Sequence, residues 1–593
     1  MKKIFILICA MAILFQSCKQ SNTKGVTENA NKEFNQLLEN YYQEKLALKP
    51  LDATFAGETK YNNLFPNSLS DSHIAKVKAF FEKYKKELAQ FDIEKLSEND
   101  RLSKTILEWE CNDALEGFEF HDELMPLNQF SSVPLMMAQL GSGSSAQPFK
   151  TVLDYKNWLE RLHGFNEWIA TAEVRMKEGV EKGYVLPKTL TVRLVPQIAD
   201  LAVSEVKNNL FYSPIKQFPK SFSESEKKKI TEDYTAFLSE KLIPSLNSLQ
   251  KYISTDYLAA SRETAGINAL PDGEKRYNYL VKHYTTTDLT PDEIHQIGLK
   301  EVTRILAEME QVKTLVGFSG NIKEFFDHVR KKKELMPFSE SQQVIDNFKA
   351  IHEKIKPNLD KLFDLKPKTA FEIKRTEAFR EASASAEYNA GSLDGTRPGV
   401  FYVPIPDVKK YNMYADEDLF LHEAIPGHHY QISLQQEDES LPSFRKTIWF
   451  TAFGEGWALY TESLGKELGL YEDPYQYFGM LSAEMHRAVR LVVDTGIHTK
   501  GWTREQAIQY SLDNEAEPLQ SVIAEIERYM AIPGQAVSYK IGQLKIRELR
   551  RKAEKQMGKK FDIKEFHNQV LETGCVPLKI LEDKIDLWIQ QGN

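Results

Sequence analysis

Cysteine is scarce in this chain: four occur in 593 residues, and Cys9 falls inside an apolar run at the N-terminus. Once a leader is removed, Cys18, Cys111 and Cys575 remain. If Cys18 carries lipid, at most one disulfide, Cys111 to Cys575, is open to an oxidising compartment. Basic charge is also short. Lys and Arg number 76 against 85 Asp and Glu, a net charge of −9 spread along the sequence. That balance argues against nucleic acid or an anionic membrane surface as partner. The densest basic cluster, Lys331-Lys332-Lys333, reads as a solvated helix face. Repeats and low-complexity tracts are missing apart from one Gly/Ser loop, Gly141 to Ser145, which marks a hinge or an exposed crossing. Long hydrophobic runs are missing too, save Ile4 to Phe15, and that run is too short to span a membrane. What remains is ordinary for a globular protein, 42% hydrophobic and 27% charged, and long enough to bury a sizeable core.

The N-terminus reads as a targeting segment. Lys2-Lys3 precede the apolar run, and Gln16-Ser17-Cys18 follows it. A small residue directly before Cys resembles the bacterial lipoprotein box, with Cys18 as the lipidated residue; an ordinary cleaved signal is the alternative. The expected organisation is a signal peptide over 1–17, a flexible tether over 18–32 and one helical domain over 33–593. The expected location is the cell envelope, with a lipid anchor holding the domain to a membrane that faces the periplasm or the cell surface.

Helical periodicity dominates the domain. Phe34, Leu37, Leu38, Tyr41 and Tyr42 recur at three- and four-residue steps, and Ile74 to Phe91 repeats the style after an interruption at Pro50 to Gly57. Tyr155 to Gly183 and Ser223 to Tyr252 are amphipathic. Start signals stand at Ser223-x-x-Glu226, Thr290-Pro291-Asp292-Glu293, Ser339-x-x-Gln342 and Thr503-x-x-Gln506. Strand candidates are few, near Phe371 to Lys374 and Val400 to Val403, separated by the turn-rich stretch Tyr388 to Gly399. The chain is therefore expected to be mainly α.

One stretch carries chemistry: Leu421-His422-Glu423-Ala424-Ile425-Pro426-Gly427-His428-His429-Tyr430, followed by Gly454-Glu455-Gly456-Trp457-Ala458-Leu459-Tyr460. Hydrolytic zinc is typically held by two imidazoles and a carboxylate, with a fourth position left for water. The usual helical spacing is H-E-x-x-H, which returns the second His to the same face. Here the next imidazoles lie six and seven residues on, and seven residues of helix advance about 10 Å along the axis. Neither shares a metal with His422 on a regular helix. Pro426-Gly427 resolves this, because Pro removes an internal hydrogen bond and Gly permits an irregular turn. The motif makes sense as a locally broken metal-binding helix whose second ligand is His428 or His429. Glu423 stands where a general base belongs. Glu455, in a segment from roughly Phe444 to Leu468 that reads as one long helix, is the natural third ligand. Glu462, seven residues further on the same face, is the fallback ligand or a partner behind one. The bland alternative is two ordinary helices with polar residues.

His-Glu-Ala-Ile-Pro-Gly-His-His with Gly-Glu-Gly-Trp-Ala-Leu-Tyr resembles the bacterial domain-of-unknown-function family 885, which is grouped with the gluzincin-type metallopeptidases, among them angiotensin-converting-enzyme-like and oligopeptidase-like enzymes. The likeness runs from about Glu33 to the C-terminus, and Pro50 to Gly57 resembles the family's N-terminal signature. It implies a large, two-lobed helical zinc peptidase with a small β-sheet beside the active-site helix. The clan's shorter H-E-x-x-H is lengthened here by two residues. Resemblance to the clan also implies a Tyr from a C-terminal helix as oxyanion donor, for which Tyr529 and Tyr539 are the candidates. Arg528 beside them could supply a substrate charge, and His498, after Gly496, could be aimed into the cleft with Asp494 to orient it. In metallopeptidases of this type a strand edge holds the substrate backbone; Gly399 to Val403 is the candidate strand, with Arg397 to read a substrate carboxylate. The expected function is zinc-dependent (Zn2+) hydrolysis of peptide bonds in oligopeptides. The alternatives are a zinc hydrolase of a non-peptide amide, ester or cell-wall fragment, and a non-catalytic binding lipoprotein.

Overall fold

The computed structural model describes residues 31–143, 145–377, 381 and 384–592. The leader, Cys18, most of the tether and Ser144 lie outside the described residues. The protein is mainly helical, with a three-stranded sheet. Among the described residues no helix is long and apolar enough to cross a membrane.

Side chains that satisfy the orphan donors of a first turn fix many of the helix starts. Thr151 and Asp154 box the start of α1 (Val152–Lys182), which stops where Gly183 turns left-handed at φ +83°. Thr290 and Glu293 do the same for α2 (Pro291–Leu315), with Pro at its first position. Boxes also form at Ser223/Glu226 and Thr503/Gln506. The start expected at Ser339 is displaced by one residue: Glu340 is the cap, and Gln343 accepts from its backbone N–H. Pro50–Phe55 does not simply interrupt the first two helices. It forms a short helix of its own, with Pro at the first position, where no hydrogen bond is lost.

Two large cores bury the apolar faces. One gathers Trp158, Trp168, Tyr155 and Tyr234 with neighbours between Leu69 and Tyr257. The other joins the N-terminal helices to nearly everything after Val302, and it contains Phe420, Leu421, Trp457 and Val492. The sheet lies at the surface of this second core, with order β1 (Phe371–Arg375), β3 (Gly399–Val403), β2 (Glu387–Asn389). β3 pairs parallel with β1 and antiparallel with β2. This overturns the expectation that Gly399 to Val403 receives a substrate backbone. Both of its edges are occupied, and the free edges belong to β1 and β2. β2 falls in the stretch that reads as turn.

The second core is built around α3 (Asp416–Glu423), α4 (His428–Glu437), α5 (Ser443–Thr447), α6 (Thr451–Glu462), α7 (Pro474–Thr499), α8 (Leu519–Ala531) and α9 (Gln535–Met557). The single helix expected over Phe444 to Leu468 is broken at Ile448-Trp449-Phe450. Tertiary partners capture the freed backbone: Gln435 donates to the Ile448 carbonyl at 3.0 Å, and the Phe450 N–H reaches the Cys575 sulfur at 3.0 Å. Cys111 and Cys575 are both buried free thiols, so no bridge joins them.

Close helix crossings depend on missing side chains. Gly298 of α2 sits on Leu491 and Val492 of α7, and Gly456 of α6 meets Gly542 of α9. A methyl at Gly542 would stand 1.8 Å from the Ala452 carbonyl oxygen, an impossible approach to rigid backbone. Gly542→Ala should therefore lower the free energy of unfolding by about 2–3 kcal/mol. Denaturant titration checks this, and an unchanged midpoint would mean that the crossing yields without cost.

Candidate metal centre

The centre is assembled on α3, which enters it under restraint. Asp416, in the first turn, accepts from the Tyr411 hydroxyl at 2.8 Å and the Asn347 amide at 2.7 Å. Glu417 accepts from the Tyr471 N–H at 2.6 Å. Carboxylates suit this end of a helix. The helix stops at Glu423, and Ala424 leaves helical geometry at φ −108°, ψ −103°. Gly427 then passes so close to the preceding turn that a Cβ there would meet the His422 carbonyl oxygen at 1.9 Å and the Leu421 oxygen at 2.2 Å. Only Gly fits. α4 starts at once, at His428, and the two imidazoles stand with ring centres 4.8 Å apart at 86°.

α6 both fastens this break and brings a carboxylate to it. The Trp457 indole N–H donates to the Pro426 carbonyl at 2.9 Å, and the Thr461 hydroxyl donates to the Leu421 carbonyl at 2.9 Å. Two residues before Trp457, Glu455 places Oε2 3.5 Å from Nε2 of His422 and 3.5 Å from Nε2 of His428. The three ligand-type atoms all lie within 4.8 Å of one another. One turn beyond Ala458, Glu462 accepts from His422 Nδ1 at 2.7 Å, so it stands behind the imidazole and turns Nε2 toward Glu455.

Charge in this buried space is set by mutual pairing. Burial opposes a charged His422, but the Glu455 and Glu462 carboxylates overcome it and carry its pKa up to about 10. For Glu455 burial is likewise overcome, by His428 and His422, which hold its carboxyl far below the usual range. Glu423, fully enclosed beside them, is pushed up by burial. Asp418 is pushed well up, first by burial and then by the neighbouring Glu462. A tetrahedral zinc with Zn–N and Zn–O near 2.0–2.1 Å has ligand–ligand edges of about 3.4 Å. Two imidazole nitrogens, each 3.5 Å from one carboxylate oxygen, fit that donor set.

The remaining expected site residues divide. His429 is not in the cluster. Its ring packs on Phe371 of β1 with centres 4.7 Å apart, and Nδ1 faces the Tyr388 hydroxyl at 3.0 Å, so it ties α4 to the sheet. Tyr529 is buried, gives its proton to Glu525 at 2.9 Å and accepts from Arg490 at 3.1 Å. The Tyr539 hydroxyl accepts from Arg528 at 3.2 Å and Gln535 at 3.4 Å, one helical turn before Gly542. Arg397 is exposed, and its guanidinium donates to the Ala390 carbonyl at 3.4 Å. His498 is held by structure on both nitrogens: Nδ1 accepts from the Ile267 N–H at 3.0 Å, and Nε2 donates to the Tyr529 carbonyl at 3.1 Å. Asp494 does not orient it; that carboxylate takes the Tyr277 hydroxyl at 2.5 Å and the Gly534 N–H at 3.1 Å. Sequence reasoning gave no role to Trp449, Trp457 or Thr461. The Trp457 and Thr461 positions, on the Glu455 helix at two and six residues further on, were the available signal.

The fold and centre define a mainly helical protein in which a His-His-Glu cluster forms where a broken helix meets α6. The chain belongs to the family described as bacterial protein of unknown function (DUF885), whose model matches residues 50–585. A presumed lipoprotein of Colwellia psychrerythraea, of known crystal structure, is 27% identical with a TM-score of 0.87, over 95% of this chain and 100% of that one. A presumed lipoprotein of unknown function from Shewanella oneidensis is 18% identical with a TM-score of 0.70, over 93% and 99% of the two chains, and shares the fold. No curated protein matches the chain.

Burial holds the His498 pKa down at about 3. Between about pH 6.5 and 3 the unfolded chain takes up a proton there that the folded chain refuses, so this residue's contribution to stability falls as pH drops through that window and is constant above it. The stability difference between the native protein and His498→Gln should thus be widest near pH 7.5 and narrow toward pH 4. Chemical denaturation across that range tests it; a pH-independent difference would show an ordinary imidazole.

Proposed function

We propose that this protein is a zinc-dependent hydrolase that cleaves peptide bonds of oligopeptides, a two-lobed relative of the gluzincin-type metallopeptidases held at the cell envelope by lipid on Cys18. The observation that carries the reading is the convergence of His422, His428 and Glu455 within 4.8 Å, with Glu423 enclosed next to His422. The lipoprotein descriptions of the Colwellia and Shewanella proteins support the anchor.

His422, His428 and Glu455 would hold zinc, which would supply Lewis-acid polarisation of the scissile carbonyl and acidify water toward neutrality. Glu423 would act as general base, taking a proton from the attacking water and delivering it to the leaving amine, a role suited to a carboxylate whose basicity is raised by burial. Glu462 holds His422 in the tautomer that presents Nε2. Tyr539 suits the oxyanion better than Tyr529, because the Tyr529 proton is given to Glu525 whereas the Tyr539 hydroxyl only accepts from its protein neighbours. Arg528, bonded to the Tyr539 hydroxyl, orients that phenol.

Metal analysis of the purified protein beginning after Cys18 comes first. One zinc is expected in the native protein and in His429→Ala, and none in His422→Ala or His428→Ala. Glu462→Ala should bind zinc about 10–100-fold more weakly. Glu423→Gln should keep its zinc and lose about 10²–10⁴-fold in kcat on peptides, with ester substrates assayed in parallel. A zinc-loaded Glu423→Gln protein with full activity would remove the general-base role, and native protein that takes up no zinc would remove the mechanism.

A further inference from the structure

Trp449 stands in the three-residue break between α5 and α6. It is 41% exposed, unusual for so large an apolar side chain this close to a buried polar centre. Its indole lies flat on α6 at Gly454, where an added methyl would meet the ring at 2.0 Å, one residue before Glu455. The ring centre is 6.0 Å from that of His428. Glycine at 454 is what lets an aromatic plane rest beside two of the three cluster residues.

Two hollows meet at this indole. One, of about 340 Å³, is a trough whose walls include Phe55, Ile432, Gln436 and Trp449. The other, of about 720 Å³, has Phe81, Trp109, Tyr284 and Trp449 in its wall. His422, His428 and Glu455 line neither; Ile448 and Trp449 line both, and the Trp449 ring is the one packed beside His428. Ile432, Gln435 and Gln436 of α4 line the trough, and from His428, which lies outside it beside Trp449, to Gln436 the helix rises about 12 Å. An extended chain covers that length in about three to four residues at roughly 3.3 Å each. Beyond Gln436 and Thr447 the trough continues into a hollow of about 450 Å³ that reaches Asn389 and Arg397. Among the described residues the Gln436 side chain has no hydrogen-bond partner, which leaves its amide for a backbone in the trough.

We propose that Trp449 is the substrate-facing wall of this centre, and that the trough from it along the His428–Gln436 face holds about three to four residues of an extended peptide on one side of the bond to be cut. The proposal rests on the hydrolase reading for what happens at the centre, but the trough is a matter of binding alone. It makes the preferred substrate an oligopeptide cut at an interior bond, with a large apolar side chain against the indole.

The test uses zinc-loaded Glu423→Gln protein and a series of two- to eight-residue alanine peptides that carry one Phe at successive positions. Calorimetric affinity should climb as residues are added on one side and level off after about four, with one favoured Phe position. Trp449→Ala, compared at saturating zinc, should weaken the longer peptides by about tenfold or more, and Trp449→Phe should recover most of the loss. Ile432→Arg, which leaves Trp449 intact, should abolish the gain with length. Affinity indifferent to length, or to both Trp449→Ala and Ile432→Arg, overturns the proposal. If native protein cleaves these peptides without such dependence, the hydrolase reading survives and the trough does not. If peptides bind with the dependence but native protein never cuts them, the reverse holds.

Discussion

The approach of Gly427 to the carbonyls of Leu421 and His422 is the constraint on which the centre depends. A helix that ran on through Ala424 would carry its next imidazole out of reach of His422. By folding the chain back onto its own last turn, the break lets residues six apart in sequence face one metal-sized space, at the expense of several backbone hydrogen bonds. Those groups are not abandoned. Trp457 and Thr461 of α6 bind the Pro426 and Leu421 carbonyls, and the same helix supplies Glu455 and Glu462. One helix thus holds the break closed, supplies the carboxylate of the cluster and backs its first imidazole, so the geometry of the cluster and the packing of α6 cannot vary separately. Gly456 against Gly542 then fixes where α6 lies.

Burying so much charge is tolerable only because it is paired. An isolated ion in this interior would change its protonation state, whereas a carboxylate within reach of two imidazoles keeps its charge. Glu455 and Glu423 show the two outcomes a few ångströms apart: the first, with both imidazoles on it, is driven down, and the second, dominated by burial, is driven up. Two carboxyl groups with opposed tendencies in one cavity is the condition under which one can remain a fixed anion while the other exchanges a proton.

Much of this was legible in the sequence because it is local. Spacing alone singled out His422, Glu423 and Glu455, and the seven-residue step to Glu462 placed it on the ligand face. The capped starts at Ser223, Thr290 and Thr503 could be read because a cap is a matter of four adjacent residues. Other features are decided at a distance. Whether His428 or His429 turns inward depends on the path through Gly427, and both spacings are compatible with a break of unknown shape. The helix expected over Phe444 to Leu468 is interrupted by Gln435 and Cys575, which no window around Trp449 contains. β2 is too short to show alternation, and β3 became central only because β2 folded against it. His498 looked available because nothing in its neighbourhood names its partners; Ile267 lies 231 residues away.

The two imidazoles of the cluster are unequal. His422 is gripped from behind by Glu462, which fixes its ring and raises its basicity. His428 has no such partner: its Nδ1 is buried and makes no hydrogen bond among the described residues, a defect of about 1–3 kcal/mol for a polar group shut away from water. Apart from the Glu455 carboxylate 3.5 Å from its Nε2, packing restrains this second ring, and part of that packing is the exposed indole of Trp449. Under the proposed reading a chain seated against Trp449 would press on the less tightly held of the two imidazoles, while His422, Glu455 and Glu462 stay locked to α6. Binding in the trough, as proposed, would then be coupled to the geometry of the centre through one histidine, because the break that brought His428 inward left its far nitrogen without a hydrogen bond among the described residues.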